Sequence, residues 1–75
     1  MRAIKAKLVA SNVIVTVKDE ELEIDFSVEL GKHPVVMPIS NPASDLNLID
    51  IVSPEDLLLM QDIALEEAKQ MMANG

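Results

Sequence analysis

The sequence predicts an α+β fold: a four-stranded antiparallel β-meander in the order 1-2-3-4, a packed linker, and one C-terminal α-helix that covers one sheet face. Three observations lead there. Residues 22–30, LEIDFSVEL, alternate apolar and polar without a break, and further alternating runs stand on either side. β-branched residues dominate these runs, as a pleated, half-buried surface favours. After Ser53 the apolar residues recur at helical spacing instead. With 75 residues, one domain is the default.

The strands are expected at about 2–10, 13–18, 22–30 and 33–39. In the first, Ile4, Ala6 and Leu8 alternate with Lys5 and Lys7; in the second, Val13, Val15 and Val17 alternate with Ile14, Thr16 and Lys18. The fourth carries Val35, Met37 and Ile39 on one parity. Opposed residues of a hairpin share a face, so pattern and register check each other. A turn at Ser11–Asn12 pairs Leu8 with Val15 and Ala6 with Val17. A four-residue loop at Lys18–Glu21 pairs Val17 with Leu22, Val15 with Ile24 and Val13 with Phe26. A turn at Gly31–Lys32 pairs Val28 with Val35, Phe26 with Met37 and Ile24 with Ile39, and Gly31 suits the first central position of a type II′ turn. All three registers set apolar against apolar.

The prolines support the last hairpin. Proline has no N–H, so it belongs in a sheet where that donor would point outward. Pro34 and Pro38 share the outward parity, which makes the fourth strand an edge blunted against pairing with another chain. The first strand is the opposite edge and carries only Lys5 and Lys7 as charged guards.

Residues 40–53, SNPASDLNLIDIVS, open on an Asn41–Pro42 turn signal and then become too apolar for a free loop. The helix is expected over 54–73. Ser53 can cap it, Pro54 suits its first position, and Glu55 and Asp56 suit the positive end of its dipole. Asp56, three residues after Ser53, makes a weaker form of the capping box, and Asn74–Gly75 can accept the left-handed stop. Leu57, Met60, Ala64, Ala68 and Met71 form one stripe, widened by Leu58, Leu65 and Met72. Leu59 and Ile63 lie toward the other side, among Asp62, Glu66 and Gln70, where they meet either the linker or a second subunit.

Composition excludes several functions. There is no cysteine, which rules out disulfides and thiolate metal sites and fits a cytoplasmic setting. No apolar run approaches a membrane span. Residues 1–17 begin basic and turn apolar, but Ser11 and Asn12 break the run and its Val and Ile read as strand rather than signal peptide. The net charge is −7, with all thirteen acids after residue 18 and Arg2, Lys5, Lys7 and Lys18 before them. An acidic chain whose one aromatic residue, Phe26, points inward is a poor nucleic-acid binder.

No catalytic constellation emerges, and the chain reads as a non-enzyme without metal or cofactor. His33, the one histidine, sits beside Gly31, Lys32 and Pro34 as a turn residue. The stretch from Asp45 to Asp56 only partly matches a calcium loop, since Ile49 and Asp50 stand where a ligand and glycine belong.

What remains is surface. The expected interaction residues are Lys5, Lys7, Val9 and Ile14, with Val9 and Ile14 paired on the outer sheet face, then Asp25, Glu29, Leu59 and Ile63. The registers set Glu21 opposite Lys18 and Lys18 opposite Lys5, Glu23 opposite Thr16 with Lys7 beyond, Asp25 opposite Ile14 and Pro38, and Glu29 opposite Pro34. The reading that follows is a small interaction or assembly module, self-associating or part of a larger complex. The alternative is an acidic inhibitor whose Asp19, Glu20, Glu21, Glu23, Asp25 and Glu29 imitate nucleic-acid phosphates at a partner enzyme. A third, nucleic-acid binding through Arg2, Lys5, Lys7 and Lys18, is weaker.

Overall fold

Two tight hairpins build the first three strands. The computed structural model describes residues 1–39 and 52–74. Strands β1 (Arg2–Val9), β2 (Asn12–Asp19), β3 (Leu22–Glu29) and β4 (Val35–Pro38) form one antiparallel sheet in the order β1-β2-β3-β4, followed by helix α1 (Pro54–Asn74) packed on one face. The expected meander and covering helix are therefore present. No described helix is long and apolar enough to cross a membrane.

The faces of β1 to β3 follow the alternation, but the registers differ from those expected. Val9 faces Asn12, so the first turn is Ala10–Ser11 rather than Ser11–Asn12, and Ala6 and Leu8 face Val15 and Val13. Asp19 faces Leu22, so the second loop is the two-residue Glu20–Glu21 rather than four residues, and Val17, Val15 and Val13 face Ile24, Phe26 and Val28. Each change moves the pairing by two positions, which keeps every side chain on its face. Ala10 and Glu20 have φ of 56° and 57°. Each is the first central residue of its turn, where a type II′ geometry needs positive φ and glycine is preferred. A bulge between Ala3 and Lys5 also breaks the β1 alternation. It turns Ala3 toward the helix and leaves Ile4 partly exposed.

The fourth strand departs further. Residues 30–34 form the connection, rather than a tight Gly31–Lys32 turn, and Val28, Phe26 and Ser27 face Val36, Pro38 and Met37. This is a shift of one position, and it reverses the faces. Val36 and Pro38 turn toward the helix side, while Val35, Met37 and Ile39, expected in the core, are exposed. The backbone parity of the prolines survives. Ile39 N–H donates to the Asp25 carbonyl oxygen at 2.9 Å, so odd-numbered residues aim their donors at β3 and Pro38 sits where the donor would point outward.

The core joins Val13, Val15, Val17, Ile24, Phe26 and Val28 of the sheet to Met60, Ala64 and Ala68 of α1, with Val52 buried just before the helix. Small alanines at the contact let the helix approach the sheet, while Phe26 and Met60 fill volume. Leu57, Ile63, Leu65 and Met71 pack around the rim. Leu58 and Met72, expected to widen the stripe, are instead exposed. They lie on the flank away from β1, whereas α1 rests chiefly on β1 and β2. The Ser53 Oγ accepts the Asp56 N–H at 3.2 Å and its carbonyl accepts the Leu57 N–H at 2.9 Å, the expected cap. Residues 40–51, with the apolar linker positions and most of the partial calcium-loop match, lie outside the described residues, as does Gly75.

Candidate interaction surface

The face of the sheet turned away from α1 is built by the even positions of β2, the odd positions of β3 and β4, and Arg2, Lys5, Lys7 and Val9 of β1. Reading across the sheet, its rungs are Lys7–Ile14–Ser27–Met37 and Lys5–Thr16–Asp25–Ile39. Val9 pairs with Asn12 at one end, beside Glu29 and Val35; Arg2, Lys18 and Glu23 form the other end. The face is thus ordered by strand: cations on β1 with Lys18 on β2, carboxylates on β3, and apolar side chains on β4.

Its centre is hydrogen-bonded within the sheet. Asn12 Nδ2 donates to Ser27 Oγ at 3.2 Å, and the Thr16 hydroxyl donates to the Asp25 carboxylate. These two cross-strand pairs bracket Ile14. Thr16 is buried even though no other described element covers it, because Lys5, Lys7 and Asp25 crowd round it and line a hollow of about 260 Å³ with Ala6 and Ile14. Asn12, Ser27, Thr16 and Asp25 thus meet part of their hydrogen-bonding need within the sheet, which lowers the penalty for covering them. Around the centre, Val9, Val35, Met37 and Ile39 are 46–58% exposed.

The structure brings six expected residues, Lys5, Lys7, Val9, Ile14, Asp25 and Glu29, onto this one face. Their pairings differ from expectation. Val9 meets Asn12 and Ile14 meets Lys7, so those two do not pair with each other. Asp25 lies between Thr16 and Ile39, and Glu29 faces Val35. Lys18 lies opposite Glu23 and Arg2 rather than Glu21 and Lys5. Val35, Met37 and Ile39 were missed, because strand four is apolar on both parities and its pattern gave no phase.

Leu59 and Ile63 belong elsewhere. Leu59 is exposed, and Ile63 packs against the core beside the β1 edge. There Ile63 lines a second hollow, about 480 Å³, with Met1, with Arg2 and Ala3 of β1, and with the acidic Asp62, Glu66 and Glu67 of α1. The exposed Lys69–Glu66 pair at 3.8 Å is worth little. His33 is exposed in the connection before β4, and among the described residues no three His, Asp or Glu side chains could hold a metal ion. Comparison with family models, with curated proteins and with solved structures found no match.

Proposed function

We propose that the chain is a non-catalytic interaction and assembly module that works by associating with a second copy or within a larger complex. The observation that carries this reading is the outer sheet face, where Val35, Met37 and Ile39 form one exposed apolar row beside a hydrogen-bonded centre. Contiguous exposed apolar surface marks protein contact sites, whereas scattered apolar residues do not. A small domain with few aromatic residues also gains stability from a partner. The absence of cysteine supports a cytoplasmic setting.

Sedimentation equilibrium across micromolar to millimolar protein tests the reading. Mass rising toward a defined oligomer supports self-assembly. A monomer throughout, together with no partner retained from the native host, refutes the module.

Phosphate imitation by the acids has less support. Glu23, Asp25 and Glu29 share their face with Lys5, Lys7 and Lys18, which dilute its negative potential, and Asp25 accepts the Thr16 hydroxyl. That reading predicts salt-sensitive binding to a nucleic-acid enzyme. An interaction indifferent to salt rejects it.

A further inference from the structure

We infer that the outer sheet face is a homodimer interface, in which two copies pack face to face about a two-fold axis parallel to the strands. The inference rests on the assembly reading and names the partner as a second copy of this chain. What selects the copy is the order of charge across the face.

An axis parallel to the strands, running between β2 and β3, lays β1 of one copy over β4 of the other and β2 over β3. Each rung then covers its own symmetry mate. Lys18 lands over Glu23 of the second copy, Lys5 reaches toward that copy's Asp25 one strand over, and Lys7 reaches toward its Glu29 one strand over and one rung along. Every such contact occurs twice. The Ile14 side chains of both copies meet beside the axis, and Val35, Met37 and Ile39 of each copy lie at the flanks over Val9 and the alkyl stems of Lys7 and Lys5 of the other, across the usual separation of about 10 Å between packed sheets. An axis perpendicular to the strands in the same plane lays β1 over β1 and β3 over β3. It sets lysine on lysine and carboxylate on carboxylate, so the charge order discriminates between the two arrangements.

Edge pairing through β1 is the competing route to a dimer. Antiparallel pairing centred on Ala6 sets Lys5 opposite Lys7 of the copy, and like charges directly opposite are destabilising. The bulge between Ala3 and Lys5 further interrupts that edge. Face packing avoids both problems. Strands of up to eight residues, about 4.8 Å apart, give the face on the order of 450 Å² in plan. Two such faces bury on the order of 900 Å², the scale of weak and transient contacts, so a dimer that forms only as concentration rises is expected.

Complementary charge variants test the geometry. One chain carries Lys5→Glu with Lys7→Glu, making its face acidic; the other carries Glu23→Lys with Glu29→Lys, making its face basic. Asp25 and Thr16 are left intact, and circular dichroism confirms that each variant is folded. Each alone should self-associate at least about tenfold more weakly than the wild type, because like charges now face each other. Their equimolar mixture should recover wild-type association, measured by sedimentation velocity. A mixture that stays monomeric while the wild type dimerises overturns the two-fold arrangement. Variants that dimerise alone as well as the wild type show that another surface is used, which overturns this inference but leaves the assembly reading standing. A wild type that never associates overturns the inference, and the assembly reading then rests on a different partner.

A measurement on the wild-type chain guards against misfolded variants. Amine-reactive labelling across a concentration series should show Lys5 and Lys7 losing reactivity as dimer forms, while Lys32 and Lys69, which lie off the face, keep theirs. Equal labelling of all four at every concentration at which dimer is present overturns the inference.

Discussion

The two faces of the sheet are made from the same strands and differ in how their apolar groups are used. On the helix side, Val13, Val15, Val17, Ile24, Phe26 and Val28 form an unbroken block with little or no exposed surface, closed by Met60, Ala64 and Ala68. On the outer side, Ile14 and Met37 are separated by Ser27 and flanked by charge, and the hydrogen bonds Asn12–Ser27 and Thr16–Asp25 cross the middle. One face depends on excluded water for the fold itself. The other pairs its central polar groups within the sheet and keeps apolar groups at the surface. A sheet this small can therefore hold its fold with one face and offer the other.

The sharpest way to break the contrast is Phe26→Ala. The ring is fully buried, so truncation leaves a cavity and should cost about 3–5 kcal/mol, enough to unfold much of a marginal domain. Urea denaturation read by circular dichroism measures it; a loss below about 1 kcal/mol would show that the helix side is not the core. Next is Ala64→Leu, which forces bulk into a fully buried helix–sheet contact and should cost about 1–3 kcal/mol. Unchanged stability would mean that α1 does not press on the sheet there.

Smaller effects probe the turns and the open face. Glu20→Gly removes a side chain from a backbone at φ 57° and should stabilise the hairpin by about 1 kcal/mol, read as a higher urea midpoint with unchanged slope. Destabilisation would place the turn in a different geometry. Smallest is Met37→Ser. On the outer face it should move unfolding of dilute protein by no more than about 0.5 kcal/mol. The same substitution should weaken self-association at high concentration. A folding cost comparable to that of Phe26→Ala would abolish the distinction between the faces.

Different parts of this fold were legible in the sequence for different physical reasons. β2 and β3 alternate cleanly, and α1 has a cap, a proline at its first position and a stripe, so their identity and inner faces were readable. Their exact registers were not. Moving a pairing by two positions leaves every face unchanged, so hydrophobic alternation cannot separate Ala10–Ser11 from Ser11–Asn12, or a two-residue turn from a four-residue loop. Turn chemistry should decide, but here Ala10 and Glu20 take positions that favour glycine.

The failure at β4 was of another kind. Val35, Val36, Met37, Pro38 and Ile39 are apolar on both parities, so either face could be turned inward, and Gly31 pointed to a shorter turn than the chain makes. The candidate surface inherits this history. Lys5, Lys7, Val9, Ile14, Asp25 and Glu29 were readable because β1 to β3 kept their faces beyond the bulge. Val35, Met37 and Ile39 depended on the one strand without a phase. Leu59 and Ile63 were grouped by helical spacing alone, which could not tell that the β1 edge lies beneath one of them and not the other.

The strand order has a consequence in time. Each strand pairs with its neighbour in sequence, and the first two turns are two residues long. Most sheet contacts therefore close short loops and incur little chain entropy, so the meander can zip outward from either hairpin before the helix docks across the remaining connection. Refolding by stopped-flow mixing should be complete on the order of milliseconds, with Phe26 variants slowing it and α1 cap variants acting mainly on the unfolding arm.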